Sequence, residues 1–230
     1  MQAGTAVGNL AGVIGVRPEE AAVVEQLKAG SEEAFAWLIA RYQQPLYSLI
    51  YRVLPNPSDA ADVTQEVFVK VFRGIGHFHG EASLRTWIYR IALHEALNQR
   101  RWWTRHERQQ VAIDGDTGDD RHAAPAECLI DTHESPFDAA AHAEIAARVE
   151  AALRDVPEPF RTVVVLRDIE GFGYEEIAEI LNANLGTVKS RLMRGRAHLR
   201  SLLAPYVEAA NRRPSQRSSV SQACSAEEAV

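Results

Sequence analysis

Between Val111 and Pro136 the sequence loses every trace of periodicity, and that gap limits the available folds more than any other feature. The stretch consists largely of Gly, Asp, Ala and Pro, which cannot bury enough apolar surface to offset the entropy of ordering it. A flexible acidic linker is therefore expected over 109–136. On both sides of it apolar residues recur at helical spacing, and no alternating strand pattern occurs. The expectation is an all-α chain of two small helical domains joined by that linker. With 230 residues, each half is long enough to bury a core of its own.

Charge follows the same division. The formal net charge is -6, yet it is spread unevenly. From Val111 to Glu144 nine acids (Asp114, Asp116, Asp119, Asp120, Glu127, Asp131, Glu134, Asp138 and Glu144) stand against Arg121 alone. From Arg85 to Arg108 there are six arginines against Glu95 and Glu107, and GTVKSRLMRGRAHLR at 186–200 carries five positive charges and no carboxylate. An acidic average thus hides two basic neighbours, each suited to an anionic partner.

In the first half, EEAAVVEQLKAG closes on Gly30, and SEEAFAWLIARYQQPLYSLIYRVL opens on a Ser31 cap with two acids in its first turn. PNPS at 55–58 breaks the chain before DAADVTQEVFVKVFRGI. At 100° per residue this helix gathers Val63, Val67, Phe68, Val71, Phe72 and Ile75 on one face and Asp62, Gln65, Glu66, Val69 and Arg73 opposite. Polar residues around an isolated apolar one suit a protein contact as well as a solvated face. A loop rich in Gly and His follows, then LRTWIYRIALHEALNQRRWW.

In the second half, YEEIAEIL makes a short helix whose small Ala178 allows a close crossing, and Asn182 suits a left-handed turn. With Thr187 as N-cap, Val188, Leu192, Gly195, Leu199, Leu202 and Leu203 share one arc. Lys189, Ser190, Met193, Arg194 and Arg200 lie on the remainder, with Arg191 and Arg196 at its edges. Short helix, turn and carboxylate-free face together make a helix-turn-helix. Lys189, Ser190, Met193 and Arg194 are expected to reach base edges in the major groove, with Arg191, Arg196 and Arg200 on phosphates.

DAADVTQEVFVKVFRGI with FHGEASLRTWIYRIALHEALNQRR resembles region 2 of the extracytoplasmic-function (ECF) sigma factors of the sigma-70 family, and LRDVPEPFRTVVVLRDIEGFGYEEIAEILNANLGTVKSRLMRGRAHLR resembles their region 4. The resemblance implies region 2 over 18–108 and region 4 over 137–204, and the composition of the ends at 1–17 and 205–230 leaves them disordered by expectation. It implies that Asp62, Gln65, Glu66, Val69 and Arg73 bind the β′ clamp helices of core RNA polymerase, whose β flap is a second contact. It also implies that the loop 76–84, with Phe78 and Ser83, captures a flipped minus-10 base, while Arg90, His94, Asn98, Arg101 and Arg105 contact the opening DNA. Thr187 and the helix after it then take the minus-35 element, and an anti-sigma factor is a further partner. His94 stands where Asn is frequent in the family, and Asn184 where Pro is common.

Melting needs a stacking surface to offset unstacking of a base. Phe78, Trp87, Trp102 and Trp103 are the candidates, with Trp87 better suited to the core. No nucleophile motif or phosphate-cradling loop is present, so no enzyme activity is expected. Neither cofactor nor metal is expected: His77 and His79 lack a third ligand, and Cys128 and Cys224 lie apart as reduced thiols. No membrane span is expected, and the location is cytoplasmic. Two rivals remain at this stage: a stand-alone helix-turn-helix regulator, and an interaction protein that occupies polymerase or an anti-sigma factor without driving initiation.

Overall fold

In a computed structural model that describes residues 18–54, 56–110 and 136–212, the described chain is helical and contains no strand. The expected linker, the terminal 1–17 and 213–230, and both cysteines lie outside the described residues. Helices α1 (Pro18–Lys28), α2 (Glu32–Tyr51), α3 (Pro57–Gly74) and α4 (Leu84–Gln110) form the first domain. Helices α5 (Pro136–Asp155), α6 (Glu158–Val164), α7 (Tyr174–Ile180) and α8 (Leu185–Arg212) form the second.

Local chemistry sets the helix starts. Ser31 caps α2 by accepting the Ala34 N–H at 3.2 Å, after Gly30 at φ +79 turns the chain. Asn56 caps α3 by accepting the Ser58 N–H at 2.9 Å, with Pro57 in the first turn, where its missing N–H costs nothing. A single 3-10 turn, Ile75–His77, ends α3, and Ser83 caps α4 through the Thr86 N–H at 3.0 Å. The first core holds Leu38, Leu46, Leu49, Ile50, Val67, Val71, Ile88 and Ala92. The buried arc of α3 is narrower than its apolar arc, so Phe72, expected inside, is 61% exposed and leans on Phe35 at 4.9 Å.

In the second domain α6 runs into a π turn, Val165–Ile169, before α7 and α8 form the expected helix-turn-helix. Asn182 takes φ 48, as a tight turn between them requires. Val188 and Leu192 are buried, and Gly195 lets α8 lie on α6, since a Cβ there would stand 2.6 Å from Val164 Cγ2 and 2.9 Å from the Phe160 carbonyl oxygen. Beyond the expected boundary at 204, α8 continues through Pro205 to Arg212, and the Arg148 guanidinium lies 4.9 Å from the Tyr206 ring. The domains also touch. Helix α4 packs on α7, with the buried Tyr89 and Phe172 rings 4.7 Å apart.

Candidate nucleic-acid interface

The start of α8 is set by Asn184, not Thr187. The Asn184 Oδ1 accepts the Thr187 N–H at 2.8 Å and its hydroxyl at 2.9 Å, so the Thr187 side chain is turned back onto the cap. Ser190 is half-buried, and its hydroxyl donates to the Thr187 carbonyl at 3.0 Å. Lys189, Met193 and Arg194 stand exposed on the next two turns, Met193 at 68%. The exposed Arg200 lies further along, and among the described residues neither it nor Arg194 pairs with a carboxylate. Arg196 departs from its expected place on phosphate. Its guanidinium forks onto Asp168, Nε donating to Oδ2 at 2.9 Å and Nη2 to Oδ1, and that pairing raises its pKa. Arg191 is half-buried and lines the groove between the domains.

Along α4, Arg90, His94, Asn98, Arg101 and Arg105 do share one side, and several are linked to one another. The Asn98 amide nitrogen lies 3.1 Å from His94 Nδ1, and Arg101 donates to Asn98 Oδ1 at 2.6 Å. Arg101 and Arg105 also donate to the Leu97 and Arg101 carbonyls at 3.2 Å, which holds both guanidinium groups along the helix. Trp102 is 43% exposed and stacks on His106 with ring centroids 3.9 Å apart.

The loop expectation needs correction. Phe78 is 4% exposed, its ring 5.2 Å from Trp87, so it serves the core and offers no stacking surface. Ser83 is engaged as the α4 cap, its hydroxyl 2.8 Å from that of Thr86. The Gly-rich loop is short, and an aromatic in its middle gains more from burial beside Trp87 than from solvent exposure.

On α3, Asp62, Gln65, Glu66, Val69 and Arg73 are all exposed on one stripe, which Phe72 widens with a second large apolar surface. Burial, and then the neighbouring Asp62 charge, raise the Asp59 carboxyl pKa. Beside the stripe, Ile39, Tyr47, Gln65 and Phe68 line a cleft of about 480 Å³ between α2 and α3. Lys70 escaped the sequence reading. Its ammonium lies 2.6 Å from Glu95 and 4.0 Å from Glu66, joining the α3 stripe to the α4 face. Burial pushes the Glu95 carboxyl up, but Lys70 and His94 together outweigh it and hold the pKa below the ordinary value.

Between the domains lies an open groove of about 1400 Å³, lined by Asp62 and Glu66 of α3, Asn98, Arg101 and Arg105 of α4, and Arg191 of α8. The structure thus brings members of all three expected sets to one space. Arg85, Glu158, Glu170 and Glu179, which bridge the domains, were also missed, because pairs 58 to 89 positions apart leave no local pattern. Among the described residues no helix is long and apolar enough to cross a membrane.

Comparison with known proteins agrees with this geometry. The family model "Sigma-70 region 2" matches residues 38–106, and "Sigma-70, region 4" matches residues 142–199. The RNA polymerase sigma-H factor of Pseudomonas aeruginosa is 34% identical over 189 residues, which cover 82% of this chain and 95% of that protein. The ECF RNA polymerase sigma-E factor of Escherichia coli is 31% identical over 185 residues, covering 80% and 94%. Among solved structures, CnrH in complex with the cytosolic domain of CnrY superposes at a TM-score of 0.56 with 25% identity, covering 80% of this chain and 96% of that one.

Proposed function

The chain belongs to the extracytoplasmic-function sigma factors of the sigma-70 family, and on that premise we propose how its residues divide the work of promoter-specific transcription initiation. It is an alternative sigma factor and not an enzyme: core RNA polymerase performs the chemistry. Lys189, Ser190, Met193 and Arg194 read base edges of the minus-35 duplex in the major groove, and Arg191 and Arg200 hold phosphates. Thr187 acts through the cap that fixes the helix start, and Arg196 through its pairing with Asp168, which stations one guanidinium edge beside the duplex.

On the first domain, the stripe Asp62, Gln65, Glu66, Val69 and Arg73 takes the β′ clamp helices, while the second domain reaches the β flap. Arg90, His94, Asn98, Arg101 and Arg105 follow the minus-10 strand as it opens, with Trp102 as the exposed ring on that helix. The protein works in the cytoplasm. CnrH is held by the cytosolic domain of CnrY, and this chain has an analogous protein partner, an anti-sigma factor.

The observation that carries this division is that the exposed, carboxylate-free start of α8 and the exposed stripe of α3 lie on different domains. Run-off transcription and pull-down with core polymerase test it. Lys189→Ala with Arg194→Ala should abolish promoter-specific transcripts and leave core binding intact, whereas Asp62→Lys should weaken core binding itself. Loss of core binding in the first variant, or an unchanged pull-down in the second, would refute the assignment. A stand-alone regulator leaves the α3 stripe idle and predicts promoter binding independent of polymerase.

A further inference from the structure

We propose that His94 selects, at one position of the opening minus-10 strand, a base that carries an exocyclic amine, adenine or cytosine, because Glu95 fixes which ring nitrogen holds the proton. Base choice in this form rests on α4 meeting that strand; the hydrogen bonding around the ring does not. Glu95 is half-buried, and each of its carboxylate oxygens has one partner: Oε2 lies 2.6 Å from Lys70 Nζ and Oε1 lies 3.2 Å from His94 Nδ1. Burial works against a charge on Glu95, yet Lys70 and His94 hold its carboxyl below the ordinary pKa, so both oxygens only accept. Nδ1 must therefore carry the hydrogen. In a neutral ring the other nitrogen, Nε2, is then a bare acceptor.

Asn98 does not compete for Nδ1. Its amide nitrogen stands 3.1 Å from Nδ1 and 3.5 Å from Nε2, whereas a donor in line with either lone pair would be close to one nitrogen and far from the other. The amide thus lies across the ring face, and Arg101, donating to Asn98 Oδ1 at 2.6 Å, keeps the amide hydrogens turned toward the imidazole. Lys70 and Glu95 position the proton, and Asn98 and Arg101 position the ring. The His94 side chain is 67% exposed, which leaves its tip open to DNA.

An acceptor at that tip matches a donor on the base. On the major-groove edge only adenine N6 and cytosine N4 donate, while guanine O6 and thymine O4 accept and would set one lone pair against another. That edge is free both before and after the base pair opens. An amide side chain at this place would offer donor and acceptor together; an imidazole with a fixed proton offers one. A single hydrogen bond of ordinary strength favours adenine or cytosine about five- to tenfold.

Two measurements on the full chain test this. Nitrogen NMR of histidine-labelled protein at about pH 8, where an ordinary imidazole is neutral, reads the tautomer, with His94→Gln identifying the resonances. The wild type should carry the proton on Nδ1. Glu95→Leu removes the acceptor and should move the proton to Nε2, whereas Glu95→Gln keeps a carbonyl oxygen for Nδ1 and should keep the wild-type form. Random single strands captured by the chain together with core polymerase, and then sequenced, read base choice. The aligned column that changes in His94→Ala is the one His94 reads. It should hold adenine or cytosine in the wild type and in Glu95→Gln, and turn to guanine or thymine in Glu95→Leu. A purely structural role for Glu95 would weaken capture without turning the base class.

A proton on Nε2 in the wild type, or guanine or thymine at that column, would overturn the base choice while leaving α4 on the strand. Captured strands with no column altered by His94→Ala would overturn the assignment of His94 to DNA as well, whatever the tautomer.

Discussion

Helices α4 and α8 are the two long basic helices of this sigma factor, and they treat their charges in opposite ways. On α4, Arg85, Arg90 and Arg100 each meet a carboxylate of the other domain, and Arg101 and Arg105 are tied to their own helix backbone. On α8, Lys189, Arg194 and Arg200 stand exposed, and Arg196 is engaged with Asp168 of its own domain. The difference matches the two tasks proposed for them. Duplex is read as it stands, so a preorganised surface gains affinity by having nothing to rearrange. On that reading, the α4 surface gives up one contact, Arg90 with Glu179, when it takes up a strand.

The largest expected effect tests this contrast directly. Lys189→Ala with Arg194→Ala should remove roughly 1–3 kcal/mol per lost base contact, about thirtyfold or more together, from minus-35 duplex binding. Arg90→Ala on α4 should cost less in strand binding, because it removes a DNA contact and at the same time releases Glu179. Titration of each variant by fluorescence anisotropy checks the ranking, and an equally large loss for Arg90→Ala would erase the contrast.

A smaller effect concerns what supports each helix. Gly195→Ala should destabilise the second domain by about 1–3 kcal/mol, since its Cβ meets backbone at 2.9 Å that cannot yield without lifting α8 from α6. Gly74→Ala meets only the edge of the Trp87 ring on α4, at 3.3 Å, which can give by a few tenths of an ångström. Thermal unfolding of the two variants should show a clear loss for the first and a slight one for the second. Equal losses would mean that α4 is held as rigidly as α8.

Much of this contrast was legible in the sequence, and the rest was hidden for definite reasons. Helical spacing placed the helix-turn-helix, with Asn182 at its turn and Val188, Leu192 and Gly195 inward, because those features follow from local geometry. Thr187 as cap and Phe72 as core were misplaced by local ambiguities: Asn184, three residues earlier, offers an equally good acceptor, and periodicity gives an apolar arc without saying how much of it neighbours cover. Phe78 was assigned to DNA, yet its ring lies in the core beside Trp87. Contacts such as Arg52 with Glu150 join residues 98 positions apart, and no local pattern records them. The whole contact between the two domains belongs to that class.

The smallest effect is a pH dependence centred on α4. Burial first, and then the hydrogen bond to Glu170, push the Tyr89 hydroxyl well above its ordinary pKa of 10. Its folded-state pKa is raised, so its contribution to stability is complete below about pH 10 and is lost as pH rises through the folded value. By pH 11 the loss should be about 1 kcal/mol, read as a fall in the urea midpoint between pH 9 and 11. Tyr89→Phe keeps the ring against Phe172 and removes the proton, so its midpoint should fall less over the same interval. On the α8 side the hydrogen bond to Asp168 holds Arg196 above its ordinary pKa. A wild-type fall no larger than that of Tyr89→Phe would show that the tyrosine proton contributes nothing to holding α4 against the second domain.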